Sequence, residues 1–360
     1  MKKKSVETKS KKVKRAIKLL NIEAENPSDK RFLKKTLNTP GILKASERSP
    51  LYGFKKIRNL LRDSFMDRMK YDTLYKYMTE KKTFKDRLIF IRTIRQGFGA
   101  TRRMLFSQYR KLSENIQVSK EAYTHINGVE LWKELNIYAQ EKWGIKKIGF
   151  TEIPRDIIIK GNHILYKYAL VFIMEMRKKQ IDDAPHALAG FETIRIYNKL
   201  GKAVLDIGSW LRKKDIRCQP NHPLGGLVSY VPLAGKAGLG WQGMNGLLIT
   251  PEFGQRQRIA PIYVEHPIFS FTDTNAENFS WIERYCDNCK KCMEECPGDA
   301  IQERKKIYNN EIETIGRLAL CIDPVKCFPY FRKFEGCSIC VKVCPFSKAN
   351  GIYQILEKKT

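Results

Sequence analysis

The sequence predicts an α+β protein with three parts: a basic, mostly helical region at 1–126, an α/β core at 127–279 and a cysteine-rich module at 280–350, followed by a tail at 351–360. Three observations predict this division. Positive charge is concentrated in the first third, strand-like and helix-like patterns alternate in the middle, and most of the ten cysteines lie near the end. A chain of 360 residues is long enough for roughly two or three domains with cores of their own.

Lys and Arg dominate the N-terminal region. Residues 1–120 hold 33 basic against 11 acidic residues, so this third carries +22 of the chain's net charge of +29. We expect about the first 15 residues to be disordered and residues 16–125 to form helices with basic faces. Such a region favours an anionic partner surface, as in RNA, DNA or anionic lipid, but solvated helix faces explain the charge equally well.

Neither export nor membrane insertion is predicted. No apolar segment follows the basic N-terminus as it does in a signal peptide. No apolar run approaches the roughly 20 residues that a membrane-spanning helix needs. We therefore expect a cytoplasmic protein whose cysteines are mostly reduced and available for metal.

The core pattern alternates helices with strands. A helix is expected at 128–144, ending at Gly144. A longer one is expected at about 187–214, where apolar residues recur every three or four positions. Strand-like runs lie at 146–153, 168–175, 246–250 and 258–265. Strands separated by helices indicate an α/β or α+β catalytic core.

Eight cysteines form two groups, Cys286-x2-Cys289-x2-Cys292-x3-Cys296-Pro297 and Cys327-x9-Cys337-x2-Cys340-x3-Cys344-Pro345. Zinc sites usually have two spaced pairs of ligands. Three cysteines at two-residue intervals followed by x3-Cys-Pro are typical of bacterial ferredoxins, in which the last cysteine binds the other cluster. This crossover predicts two [4Fe–4S] clusters, one held by Cys286, Cys289, Cys292 and Cys344 and the other by Cys327, Cys337, Cys340 and Cys296.

Zinc and disulfide bonds remain alternatives for these groups. A reducing compartment argues against disulfide bonds. Cys218 and Cys321 fit neither group, and we expect each to be a free buried thiol.

A glycine-rich stretch precedes the cysteine module. In "VPLAGKAGLGWQGMNGLLITPEFG", which begins at residue 231, glycines recur every two or three positions from Gly235 to Gly246. They allow the backbone to approach other backbone or a large flat cofactor. The stretch lacks the G-x-G-x-x-G order of a dinucleotide site.

This stretch and "GCSICVKVCPFSKAN" together resemble the family of epoxyqueuosine reductases and corrinoid reductive dehalogenases. The resemblance covers roughly 128–350 and is densest over 231–345. Upstream, "GIKKIGFTEIP" and "LRKKDIRCQPNHP" are more similar to the dehalogenase branch. "AGLGW" is nearer the epoxyqueuosine reductases, because dehalogenases more often have an acidic residue where Trp241 stands.

The resemblance implies a nitroreductase-like core that holds base-off cobalamin beside one of the clusters. Electrons from reduced ferredoxin or flavodoxin would pass through both clusters to the corrinoid, which would reduce a small-molecule substrate. The corrinoid would lie against the glycine-rich loop, at Gly238, Gly240, Trp241, Gly243 and Met244.

The resemblance also implies catalytic residues. In the dehalogenase branch a tyrosine four residues after a threonine donates the proton, and Thr193 and Tyr197 have this spacing. Asn221 in "CQPNHP" matches an asparagine that lines the same pocket. The alternatives are that Tyr197 packs on the apolar face of its helix and that Asn221 caps a turn.

Two departures from the family pattern concern the reaction. Met244 stands where the family usually has Arg or Lys, and Arg256 or Arg258 is a candidate to replace that cation. The stretch "HPLGG" at 222–226 contains no carboxylate where epoxyqueuosine reductases have a catalytic aspartate. His222 is the nearby group that titrates near neutral pH, and a purely structural role in a turn is the alternative.

Three hypotheses of function follow. The first is a cytoplasmic corrinoid-dependent iron–sulfur reductase of the dehalogenase type. The second is a tRNA epoxyqueuosine-type reductase, for which the basic N-terminal region would neutralise RNA phosphates. The third is a non-catalytic, ferredoxin-like electron-transfer protein whose core docks a partner.

Overall fold

The computed structural model describes residues 122–159, 162–303, 322–333, 336–348 and 352–357, together with isolated positions between 43 and 99. Most of the basic N-terminal region therefore lies outside the described residues. The expectations of disorder at its start and of basic helices before residue 122 remain predictions. Cys321 also lies outside the described residues.

The secondary structure of the described residues is as follows. The strands are β1 (Leu43–Lys44), β2 (Lys147–Glu152), β3 (His163–Ile164), β4 (Tyr168–Glu175), β5 (Cys218–Pro220), β6 (Trp241–Gln242), β7 (Leu248–Ile249) and β8 (Gln257–Val264). The α-helices are α1 (Gly128–Trp143), α2 (Lys178–Ile181), α3 (Ala187–Lys213), α4 (Tyr230–Lys236), α5 (Trp281–Cys289), α6 (Lys291–Glu294), α7 (Pro324–Lys333), α8 (Ile339–Val343) and α9 (Ile352–Glu357). Short 3₁₀ helices lie at Ala122–His125, Arg155–Ile157, Asp273–Phe279 and Pro345–Ser347.

The core elements confirm most of the pattern expected from the sequence. The two predicted helices are α1 and α3, and three of the predicted strands are β2, β4 and β8. The run at 246–250 forms a shorter strand than expected, β7, which pairs only with β6. Gly246 explains the difference, because its φ of 75° belongs to a turn and not to a strand.

A four-stranded antiparallel sheet forms the centre of the core, in the order β2-β4-β8-β5. Its two faces bury different sets of residues because side chains alternate along a strand. Leu170 and Ile262 belong to the apolar cluster shared with α1 and α3. Val171 and Tyr263 belong to the cluster shared with α4 and β7. The sheet is therefore covered on both faces.

Helix α1 has clear signals at both ends. The Asn127 side chain accepts hydrogen bonds from the backbone N–H groups of Val129 and Glu130, at 3.2 and 3.3 Å. Gly144 ends the helix in the left-handed conformation, with φ of 72°, and its N–H bonds to the carbonyl of Gln140. The predicted end of this helix is confirmed.

Helix α3 carries two glycines where other segments approach it closely. A Cβ atom added to Gly201 would lie 2.1 Å from Nε2 of His222. One added to Gly208 would lie 2.4 Å from Cγ of Pro220. The absence of side chains at these two positions lets the segment from β5 to His222 lie directly on the helix.

The cysteine module has a small apolar core of its own. Ile282 of α5, Phe346 and Tyr353 are buried together, and Trp281 and Tyr285 pack against them. Tyr353 belongs to α9, so part of the segment predicted as a tail packs onto the module. Among the described residues, no helix combines the length and the apolar character needed to cross a bilayer.

We predict that Gly201→Ala destabilises the protein by about 1–3 kcal/mol, because the added methyl group would overlap the buried His222 ring. Gly235→Ala is the matched control. Gly235 also lies in a helix, but an added Cβ there meets only the Gly240 carbonyl, at 3.6 Å. The midpoint of urea unfolding checks both variants: it should fall for the first and stay or rise for the second. Equal midpoints would contradict the packing argument.

Candidate functional site

The two cysteine groups share one local backbone conformation. Lys290 follows Cys289 with φ of 49°, and Ser338 follows Cys337 with φ of 57°. Both are residues other than glycine in the left-handed region, which is uncommon. Each reversal turns the chain between the two cysteines of a C-x-x-C pair.

Electrostatic interactions sort the eight thiols into two sets. Cys344 interacts with Cys286, Cys289 and Cys292. Cys340 interacts with Cys296, Cys327 and Cys337. Cys292 and Cys340 also interact across the sets, so the two sets lie side by side. The structure thus brings together the members of each set that the crossover predicts, and their binding of iron stays a prediction.

Burial makes five of these thiols difficult to ionise without a cation. It raises the pKa of Cys292 and Cys340 to about 12 and that of Cys327 to about 11, and neighbouring thiolates add to the effect. Burial also raises the pKa of Cys344 and Cys337. A bound metal group with positive charge is what would convert the thiols to thiolate ligands near neutral pH.

The described residues contain no group of three or more His, Cys, Asp or Glu side chains that converges as the ligands of a single metal ion do. A four-iron cluster does not require such convergence, because the cluster itself occupies the space between its four thiolates.

One loop of the core packs closely against the cysteine module. Met244 is buried in the apolar cluster that contains Cys286 and Cys344. Trp241 is half-buried, and its indole N–H donates to Oε2 of Glu283 in α5, at 3.3 Å. An added Cβ on Gly254 would lie 2.1 Å from the carbonyl oxygen of Phe346. This loop therefore packs directly on the segments that carry the cysteines.

Arg256, at the end of this loop, also bonds to the cysteine module. Its side chain is buried, its Nε donates to the Ser347 carbonyl at 2.9 Å, and its Nη1 donates to Glu175 at 2.8 Å. The guanidinium thus joins the end of β4 to the segment that follows Cys344. These bonds engage the Arg256 guanidinium at the contact between the core and the module.

The loop glycines are explained in part by packing inside the protein. A Cβ on Gly240 would lie 2.0 Å from the Ile249 carbonyl oxygen, and one on Gly243 would lie 2.7 Å from the Gln255 amide nitrogen. Gly238 has φ of 67° and serves a turn. The predicted contacts of these residues with a cofactor, and those of Trp241 and Met244, are not tested by this packing and stay predictions.

A second polar site lies between α3 and β8. Arg258 donates from Nη2 to Oγ1 of Thr193 at 3.2 Å. Its guanidinium carbon lies 5.0 Å from the centroid of the Tyr197 ring, within the range of a cation–π interaction. Tyr197 is half-buried. The Arg258 guanidinium therefore contacts both Thr193 and Tyr197.

Asn221 lies at the end of β5 and is fully buried. Its Oδ1 accepts from the hydroxyl of Tyr263 at 2.7 Å and from the backbone N–H of Leu227 at 3.0 Å. Its own backbone N–H donates to the Pro261 carbonyl at 2.9 Å. Among the described residues its Nδ2 has no hydrogen-bond partner. Asn221 thus stabilises a turn through Oδ1, and its Nδ2 group is available to donate to a ligand.

Two further tyrosines surround these residues. Tyr230 donates from its hydroxyl to the His222 carbonyl at 2.6 Å. Burial raises the pKa of Tyr230 and of Tyr263. Tyr230 and Tyr263 thus bond through their hydroxyls to the neighbouring residues His222 and Asn221. Sequence spacing gave no signal for Tyr230 or Tyr263, because they come from separate elements that meet only in the fold.

The contacts of His222 fit the structural role in a turn. Its Nδ1 accepts the backbone N–H of Leu224 at 3.1 Å, and its ring packs on Gly201. Because Nδ1 accepts a hydrogen bond, the ring is neutral in this arrangement. Cys218 is fully buried, with its thiol against the Gly208 carbonyl at 3.3 Å, which confirms the prediction of a buried thiol.

A family model described as "4Fe-4S dicluster domain" matches residues 285–348. This segment is therefore similar to 4Fe-4S dicluster domains. Its bounds contain all eight cysteines of the two sets.

The similarity to known proteins extends upstream into the core. The chain is 28% identical over 211 residues to a tetrachloroethene reductive dehalogenase of Sulfurospirillum multivorans, across 57% of this chain and 41% of that protein. It is 30% identical over 190 residues to one of Desulfitobacterium hafniense, across 51% and 33%. It is 30% identical over 119 residues to an epoxyqueuosine reductase of Cyclobacterium marinum, across 31% and 35%. The suspected relationship to both kinds of reductase is confirmed, and the chain matches less than half the length of each.

Solved structures of the same two kinds are similar as well. The catabolic reductive dehalogenase NpRdhA in complex with 3-bromo-4-hydroxybenzoic acid has a TM-score of 0.49 at 18% identity, across 63% of this chain and 33% of that one. An epoxyqueuosine reductase with a tRNA-Tyr stem loop has a TM-score of 0.41 at 19% identity, across 62% and 67%.

We predict that Cys289→Ala removes about half of the roughly eight irons expected for two [4Fe–4S] clusters. Cys218→Ala is the control, because Cys218 is buried in the apolar cluster of the core and lies outside both cysteine sets. Iron and acid-labile sulfide are assayed per chain after anaerobic reconstitution. Full iron in Cys289→Ala, or half in Cys218→Ala, would contradict the assignment.

Proposed function

We propose that the chain is an iron–sulfur reductase of the reductive dehalogenase type. Its two [4Fe–4S] clusters would deliver electrons to a base-off corrinoid in a nitroreductase-like core. The observation that carries the proposal is the position of one loop, residues 240–256. The loop packs on the cysteine module and leads directly into β8, which carries Arg258 to Thr193 and Tyr197.

The donor set of the module fits two iron–sulfur clusters. Cys286, Cys289, Cys292 and Cys344 would hold one, and Cys296, Cys327, Cys337 and Cys340 would hold the other. A reducing compartment such as the cytoplasm suits eight thiolate ligands. Reduced ferredoxin or flavodoxin is the proposed source of electrons.

The core offers polar groups that fit a bound ligand. Among the described residues, Nδ2 of Asn221 and Nε of Arg258 are buried without a hydrogen-bond partner. Buried donors of this kind are usually satisfied, so they favour a ligand with acceptor atoms. Asn221, Arg258 and the loop at 238–244 would hold the corrinoid, which when bound would supply the electron-rich centre for the reduction.

Tyr197 is the proposed proton donor. Reduction of a carbon–halogen bond consumes two electrons and one proton and releases halide. Arg258 lies over the Tyr197 ring, so its positive charge would stabilise the phenolate that remains after the proton leaves. Thr193 holds Arg258 in this position through their hydrogen bond. Asn221 would orient the ligand with its free amide group.

Organohalides are the proposed substrate class, following the dehalogenase relatives. A tRNA epoxyqueuosine-type reductase is the second candidate. Trp241 and the epoxyqueuosine reductase relatives favour it, as does the charge of the first 120 residues. The stretch at 222–226 has no carboxylate, and His222 is engaged in a turn, so the chain lacks an evident replacement for the catalytic aspartate.

Corrinoid content tests the proposal directly. The protein is expressed anaerobically with hydroxocobalamin, reconstituted with iron and sulfide, and desalted. We expect about one corrinoid per chain, with the EPR signal of a base-off cobalt centre. Two clusters without corrinoid would contradict the proposal and would favour a non-catalytic electron-transfer protein. Salt-sensitive binding of tRNA, measured on the same sample, would favour the epoxyqueuosine type.

We predict that Tyr197→Phe lowers turnover of a tetrachloroethene probe by about 10²–10⁴-fold, the usual effect of losing a general acid. Arg258→Met should lower it as well, because the phenolate loses its cation. Tyr138→Phe is the matched control, since Tyr138 bonds to Asp206 on another side of α3. Turnover is measured with reduced methyl viologen at equal iron and corrinoid content. Unchanged turnover in Tyr197→Phe would exclude Tyr197 as the proton donor.

A further inference from the structure

Five aromatic rings pack together beside one of the two cysteine sets. They form an aromatic cover that consists of Phe279, Trp281, Tyr285, Phe346 and Tyr353. Phe346 and Tyr353 are buried in the same apolar cluster as Cys286 and Cys344, and the other three rings are half-buried against this cluster. The remaining two thiols of that cysteine set are half-buried. The aromatic cover therefore lies on the buried side of the set.

The segments that carry the two buried thiols also carry three of these rings. Tyr285 comes directly before Cys286 in α5, and Phe346 lies in the short 3₁₀ helix that begins after Cys344. The ring centroids of Tyr285 and Phe346 are 5.0 Å apart, in an edge-to-face arrangement. Trp281, one turn earlier in α5, lies 5.7 Å from Phe346. The rings thus join the two segments beside their thiols.

Tyr353 of α9 completes the aromatic cover from a separate helix. Its ring centroid lies 5.1 Å from that of Trp281 and 6.2 Å from those of Phe346 and Phe279. Its hydroxyl accepts a hydrogen bond from the indole N–H of Trp281 at 3.1 Å. Tyr353 is 5% exposed, whereas Ile355 on the same helix is 52% exposed. Helix α9 therefore faces the other rings with Tyr353 and the solvent with Ile355.

We propose that Tyr353 keeps water away from the cluster held by Cys286, Cys289, Cys292 and Cys344, and thereby keeps the reduction potential of this cluster low. The inference rests on the proposed clusters. The apolar shell around a metal group controls solvent access and hence the reduction potential. The one-electron reduced cluster carries one more negative charge, so nearby water would stabilise it more than the oxidised cluster. A cluster of lower potential is a stronger electron donor to the proposed corrinoid.

The test is an anaerobic potentiometric titration followed by EPR, with dithionite as reductant and dye mediators. It compares the fully loaded wild-type chain with Tyr353→Ala. Loss of the ring opens space beside Trp281, and the indole N–H that Tyr353 accepts would then donate to water. We expect one midpoint potential to rise, so that the ratio of reduced to oxidised cluster at a fixed potential rises severalfold. In D₂O, pulsed EPR of the same signal should show deeper deuterium modulation, because water comes closer to the cluster.

Three controls separate shielding from general damage. Ile355→Ala is the matched control, because it truncates an exposed side chain of the same helix and should leave both midpoints unchanged. Gly201→Ala destabilises the core away from the aromatic cover and should also leave them unchanged. In a Cys337→Ala background, which retains the cluster of Cys286, the shift caused by Tyr353→Ala should persist. In a Cys289→Ala background it should disappear.

Each result has a distinct meaning. An unchanged midpoint or unchanged deuterium modulation in loaded Tyr353→Ala would overturn the proposal, as would an equal shift of both clusters. A shift that survives in the Cys289→Ala background, or that Gly201→Ala reproduces, would overturn it too. If Tyr353→Ala loads iron poorly, Tyr353→Leu decides, because it keeps an apolar side chain on α9 but removes the ring and its hydroxyl. A wild-type chain that binds no iron would instead refute the clusters on which the inference rests.

Discussion

The interleaving of the two cysteine sets is the constraint on which the rest of the structure depends. Cys344 lies with the set of α5 and α6, and Cys296 lies with the set that follows it in the chain. Neither half of the module contains a complete set, so both halves must be docked before either set is assembled. The core loop contributes to this docking through the bonds of Gln255 and Arg256 to Ser347.

Strand β8 connects this docking surface with the second polar site. Arg256, immediately before the strand, bonds to the module, and Arg258 reaches Thr193 and Tyr197 on α3. Ala260 and Ile262 continue the same alternating face into the apolar cluster shared with α3. A shift of this strand would therefore disturb the module contact and the position of Tyr197, the proposed proton donor, together. The proposed reductase needs both in fixed positions, because electrons and protons must reach the same substrate.

Much of this arrangement could be predicted from local sequence, and the rest could not. The periodicity of α3 and the cap at Gly144 are local signals, and the helices that they predict are present in the structure. The spacing of the cysteines also predicted which thiols come together. The sequence did not reveal that Arg258 lies beside Tyr197, because this contact depends on the packing of β8 against α3. The contact of Tyr263 with Asn221 joins two segments that are 42 positions apart in sequence, so no motif revealed it.

The most direct test of the account is a comparison of cluster EPR spectra in four single variants. Cys289→Ala and Cys344→Ala should lose the same reduced-cluster signal, although these cysteines lie in different halves of the module. Cys337→Ala and Cys296→Ala should both lose the other signal. If Cys344→Ala instead matched Cys337→Ala, each half would hold its own cluster. The interleaved arrangement, and the dependence of both sites on docking of the two halves, would then be wrong.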